Sequence, residues 1–176
     1  MSKAEVWDSW IVLLQACVRQ VHRAAAAEPT AEETRSECGL AITVMAFMLE
    51  AYLNLHVETV FPASIAKCLA KLPVPQQFQF YPRFAGAPAA YIKTWEADPI
   101  HNDIVGLFAR RNKFAHGDVA KLRLREFTPA NVTKLWNKCL DLMVLLEKGP
   151  AARIPSSRKS DFEDEIDSLR VVLDHQ

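Results

Sequence analysis

Four stretches of this chain repeat apolar residues at steps of three and four, and prolines stand between them. That spacing draws one apolar stripe along an α-helix, so the chain is constrained to fold as packed helices. Val6, Trp10, Leu14, Cys17 and Val21 predict a first helix over about residues 4–26. Glu28-Pro29 breaks it, and Thr30-x-x-Glu33 forms a capping box that predicts a new start. Leu40, Val44, Phe47, Met48, Ala51, Tyr52 and Leu55 then draw a broad apolar face. This second helix is expected to run to about Val57, to stop at Phe61-Pro62, and to be central to the core. Asp98-Pro99 offers an N-cap and a proline at the first helical position for the third stretch, Ile100, Ile104, Leu107 and Phe108, which should end at Gly117. Thr128-Pro129 opens the fourth, through Val132, Leu135, Trp136, Cys139, Leu142, Met143 and Leu146, closed by Gly149-Pro150.

Residues 59–98 read as an irregular insertion. Ala63 to Leu72 has room for a short helix, but Pro73, Pro75, Pro82 and Pro88 argue against a longer one. Its aromatics, Phe78, Phe80, Tyr81 and Phe84 around Arg83, have two readings. Either they fold down onto the helices, or they stack single-stranded bases. Leu122, Leu124 and Phe127 alternate with Lys121, Arg123, Arg125 and Thr128, the pattern of an extended connector or short strand. Residues 151–160 resemble a linker, and Phe162 to Leu173 a terminal acidic helix. The expected fold is all-α: a helical bundle of four main helices with a Pro/aromatic-rich insertion and a short acidic C-terminal helix. One domain would span residues 1–150, with a linker and acidic segment over 151–176.

Composition excludes several classes. Of 176 residues, 21 are Lys or Arg and 21 are Asp or Glu, so a histone-like polycation is ruled out. A hydrophobic share of 50% against 24% charged argues against general disorder. The longest apolar run, Gly39 to Leu49, has eleven residues, short of the ~20 that cross a bilayer. The N-terminus shows no basic flank leading into a small-residue cleavage site. The expectation is a cytoplasmic protein with no membrane partner. Cys17, Cys38, Cys68 and Cys139 form no CxxC pair and read as reduced packing residues. No metal and no cofactor is expected.

The segment with chemical potential is Arg110-Arg111-Asn112-Lys113-Phe114-Ala115-His116-Gly117. It has a purely structural reading: cations in a last helical turn face the negative end of the macrodipole, and glycine suits the residue after it. It also has a chemical one. Arginine holds phosphate with a fixed fork of donors, and histidine exchanges protons near neutral pH. Together they suit cleavage of RNA by its own 2′-hydroxyl, which needs proton transfer and charge stabilisation but no metal. On a continuous helix Arg111 and His116 point about 140° apart, so convergence requires the helix to loosen before His116. From Arg110 to Arg125 six cations (Arg110, Arg111, Lys113, Lys121, Arg123, Arg125) stand against Asp118, a net of +5. That patch either draws in a phosphate backbone or is a solvated basic face. The tail from Ser160 carries six acids against Arg170, a net of −5, and is expected to compete with RNA for the patch. His56 and His101 are weaker catalytic candidates, because neither has a partner nearby in sequence.

Arg111-Asn112-x-x-x-His116 resembles the R-x4-6-H motif of HEPN domains, helical ribonucleases of toxin and antiviral systems. Phe47-Met-Leu-Glu50-Ala-Tyr-Leu-Asn54 is similar to the acidic helix those domains place before the motif. The resemblance covers roughly residues 35–147. It implies a metal-independent endoribonuclease, in a homodimer whose two Arg111–His116 pairs face one cleft. His116 would be the general acid or base, Arg111 would stabilise phosphate charge, Asn112 would orient the pair or contact RNA, and Glu50 would anchor Arg111. Arg110, Lys113, Lys121, Arg123 and Arg125 would bind RNA. An antitoxin or sensor protein on another chain is a further implied partner. Where the nucleotidylated branch of that family carries a tyrosine two residues after the histidine, this chain has Asp118. The other reading of the same resemblance is a catalytically inactive helical domain that mediates dimerisation or binds a partner or nucleic acid.

Overall fold

The computed structural model describes residues 3–27, 31–117, 126–149 and 159–170, and these residues form helices and turns without a strand. The helices are α1 (Lys3–Ala26), α2 (Ala31–Val60), α3 (Ala63–Leu69), α4 (Val74–Phe84), α5 (Ala89–Glu96), α6 (Ile100–Ala115), α7 (Pro129–Lys148) and α8 (Lys159–Ser168). The protein is all-α among its described residues.

The four longest helices share one core. α1 packs along α2 and α7, α2 also meets α6 and α7, and α6 meets α7. Trp136, Tyr52, Ile42, Met45, Met48, Leu49 and Leu107 are fully buried there. Apolar residues close the core because burial removes about 25 cal/mol of hydration cost per Å². α2 is long and apolar enough to cross a bilayer by length and composition, yet most of that stretch is buried against its neighbours. Its end is Val60, one turn beyond expectation, where Pro62 cannot continue the ladder. The capping box residue Thr30 lies outside the described residues.

Side-chain oxygens accept from backbone N–H groups at the starts of α6 and α7, where Thr128 is the predicted N-cap and Pro99, rather than Asp98, holds that position for α6. Asp98 Oδ1 accepts from the Ile100 N–H at 2.9 Å, and Thr128 Oγ1 from the Asn131 N–H at 3.3 Å. The insertion departs from expectation: residues 59–98 fold as three short helices, not as an irregular loop. Pro73 and Pro88 occupy N-cap positions and Pro75 sits in the first turn, where a missing N–H costs nothing. Pro82 lies inside α4 and frees the carbonyl of Phe78, four residues back. That carbonyl accepts the Trp95 indole N–H from α5 at 3.1 Å, which replaces the lost bond and ties α4 to α5. Phe78 and Tyr81 point into the core, whereas Phe84 stays exposed, so most of the insertion's aromatics are packing residues.

Residues 121–125 of the connector lie outside the described residues, and Glu126 and Phe127 at its end are not in a strand. α8 begins at Lys159, earlier than expected, and ends at Ser168. It is fixed to α7 by the Trp136 indole donating to the Leu169 carbonyl at 2.8 Å and by Lys148–Glu163 at 2.9 Å.

Candidate functional site

Arg111 follows Ile100 and Ile104 by eleven and seven residues, which places it on the inward stripe of α6. An apolar side chain would ordinarily fill that register. The guanidinium instead lies over the rings of Phe47 at 5.1 Å and Phe108 at 5.8 Å, and its Nη2 is 3.5 Å from Glu50 Oε2 on α2. Its Nη1 donates to Asn112 Oδ1 at 3.0 Å. The Arg111 side chain is 24% exposed, and its buried Nε has no hydrogen-bond partner. Two aromatic faces and one carboxylate thus hold a permanent cation at the surface. Asn54, one turn beyond Glu50, is exposed on the same helix.

α6 approaches α2 closely enough for this contact because of Gly39. A methyl group there would stand 2.0 Å from the Phe114 ring. Phe114 in turn leans on Phe127 with ring centroids 5.9 Å apart, so the end of α6 is wedged between α2 and the start of α7.

His116 is the C-cap of α6, with φ −90° and its N–H bonded to the Asn112 carbonyl at 3.0 Å. Gly117 follows at φ +58°, the left-handed position that glycine fills without strain. The helix is therefore regular through Ala115 and does not loosen before His116 as convergence required. Arg111 and His116 leave it about 140° apart. Arg111 is turned to α2, while His116 and Asn112 lie exposed. The His116 imidazole has no partner among the described residues.

Two of the five expected RNA contacts are otherwise engaged. Glu126 Oε2 is 3.2 Å from Lys113 Nζ and 3.9 Å from Arg110 Nε. This acid directly follows the sequence window that gave the basic patch its net charge. Lys121, Arg123 and Arg125 lie outside the described residues.

Sequence reasoning missed one polar cluster. His56 Nε2–H donates to Glu147 Oε1 at 2.8 Å, the Tyr52 hydroxyl donates to the same oxygen at 2.8 Å, and the Tyr81 hydroxyl meets His56 Nδ1 at 3.2 Å. His56 has 0% exposure, so the cluster is sealed from any substrate and joins α2, α4 and α7. His101 is likewise packed, its Nε2–H donating to the Trp95 carbonyl at 2.8 Å. A groove of about 460 Å³ between α1 and α8, lined by Trp10, Leu14, Val18, Phe162 and Ile166, includes none of the motif residues.

No family model, curated protein or solved structure matches this chain.

Proposed function

We propose that this protein is an endoribonuclease of the HEPN type that cuts RNA by attack of the RNA's own 2′-hydroxyl, without a metal. Its bundle of four main helices would pair as a homodimer with both Arg111–His116 sets facing one cleft. The observation that carries the reading is Arg111: a guanidinium in an inward, apolar register, held at the surface by Glu50, Phe47 and Phe108. Placing a charge where leucine would pack costs stability, which fits a role for that charge outside the fold. Because Arg111 and His116 leave one α6 about 140° apart, the reading requires the dimer cleft to bring them to the same phosphate; there His116 takes the 2′-hydroxyl proton or supplies one to the departing 5′-oxygen. Arg111 offsets the charge that builds on the phosphate oxygens. The 2′-oxygen–phosphorus bond forms as the phosphorus–5′-oxygen bond breaks, leaving a cyclic phosphate and a free 5′-hydroxyl. Asn112 steadies Arg111, and the RNA is held by Arg110, Lys113, Lys121, Arg123 and Arg125. A cytoplasmic toxin or antiviral effector, checked by an antitoxin or sensor protein, completes the proposal.

A second reading has its own support. α6 is regular to Ala115, His116 serves as its cap, and Glu126 draws on Arg110 and Lys113. Those features suit a catalytically inactive helical domain that dimerises or binds a partner or nucleic acid. Arg111→Ala and His116→Ala separate the two. The enzyme reading expects each to lower cleavage by about 10²-fold or more, with thermal midpoint and dimerisation retained. Loss of folding or of dimerisation in both variants supports the inactive scaffold.

A further inference from the structure

Phe47 is 47% exposed, although Ala46 and Met48 on either side of it are fully buried. It shares the outward stripe of α2 with Leu40, two turns earlier and 43% exposed. Part of its ring is covered by the Arg111 guanidinium at 5.1 Å, and no other aromatic ring packs on it among the described residues. An exposed aromatic beside a cation that binds phosphate is the pairing with which proteins hold single strands: the cation follows the backbone and the ring takes a base. In the insertion the sequence offers the same pairing, but Phe78 and Tyr81 are buried there, and the arginine beside the exposed Phe84, Arg83, is held by both carboxylate oxygens of Glu96.

We propose that Phe47 is a base-stacking residue, on which an unpaired RNA base rests while Arg111 holds the adjoining phosphate. The inference rests on the endoribonuclease reading and adds a base contact at its substrate site. Stacking needs a free base face, so the strand at the site is single, and it tolerates every base because every base has a π-face. Leu40 extends the apolar strip along α2 for a neighbouring nucleotide.

The test uses the full chain and a single-stranded oligoribonucleotide in which one abasic residue is moved stepwise across the cleavage point. KM and kcat are measured for the native protein, Phe47→Leu and Phe47→Tyr. On intact RNA, Phe47→Leu should raise KM about tenfold or more, while Phe47→Tyr keeps it near native. At one abasic position the native KM should rise by a similar factor, and Phe47→Leu should then add nothing. An equal loss for Phe47→Leu on intact and abasic RNA would overturn the proposal, since Phe47 would then act only by positioning Arg111. An unchanged KM, or a Phe47→Leu protein that no longer dimerises, overturns it as well. Native protein that cuts no RNA overturns the ribonuclease reading itself, and the stacking inference with it.

Discussion

A thiol ionises where water can reach its thiolate, and three of the four cysteines here are sealed in the core. Burial pushes the Cys17 and Cys139 thiols far up, and burial together with the nearby Glu37 carboxylate pushes Cys38 up to about 11. Cys68 on α3 is exposed, so it is not the packing residue its sequence context suggests. A thiol reagent at pH 8 should therefore titrate Cys68 rapidly in the native protein and the other three only after denaturation. A linkage effect follows from the same burial. Above about pH 8.5 the unfolded chain sheds thiol protons that the native chain keeps. The unfolded state then binds fewer protons, so stability falls as pH rises from about 8.5 toward 11, and Cys38→Ala should flatten that slope in urea titrations at stepped pH. At this scale the sequence shows which residues bear ionisable groups, but not their partners. Glu50 was legible through its place in a recognisable helix, whereas Glu126 hid one residue past the basic run it draws upon.

Within single elements, local rules explain most boundaries. Asp98, Thr128 and Gly149 stop or start helices within a residue of where sequence alone puts them, because caps act through neighbours in the chain. The insertion escapes local rules for the opposite reason. Pro82 ends a helix only if the carbonyl it orphans, that of Phe78, finds no donor, and the donor is Trp95, seventeen residues from Phe78 on another helix. Gly39 shows the same dependence on distant chain. Nothing near it in sequence demands glycine, but the Phe114 ring fills the space a side chain would need. Gly39→Ala should cost about 1–3 kcal/mol by overpacking, read as a lower urea midpoint, and Phe114→Leu in the same chain should recover part of it. Because Phe114 lies inside the Arg111–His116 segment, this contact also sets where the end of α6 sits against α2.

The molecule as a whole is joined by one buried polar cluster and divided between two ends. His56 and Glu147 lie 91 residues apart in sequence, so their hydrogen bond left no trace in local pattern. Removing the carboxylate takes away the oxygen to which both the Tyr52 hydroxyl and the His56 N–H donate. Glu147→Ala should destabilise by about 2–5 kcal/mol, and Glu147→Gln, which keeps an acceptor oxygen, by clearly less, measured by chemical denaturation. The two ends of α6 have different surroundings. Its start, with Asp98 and Ile100, borders Asp141, Glu163 and Arg170 near α8, while Arg111 and His116 stand at its far end. Sixteen residues of helix span about 24 Å, so Glu163, beside the start of α6, stands well away from Arg110, Arg111 and Lys113 at its end; the rest of the patch for which the acidic tail was expected to compete lies outside the described residues. The all-α class was legible from apolar periodicity, since that periodicity is what the core requires. Which ends of which helices meet was not, because packing between elements far apart in the chain decides it.

Phosphodiester cleavage by Arg111 and His116 leaves a readable product. Its most direct test is the digestion of end-labelled single-stranded and structured RNA with excess EDTA, comparing the native protein with His116→Ala. Cleavage should persist in EDTA, leave cyclic phosphate and 5′-hydroxyl ends, and fall by about 10²-fold or more in the variant. Equal cleavage by both proteins, or none from a folded native dimer, would contradict the roles of Arg111 and His116.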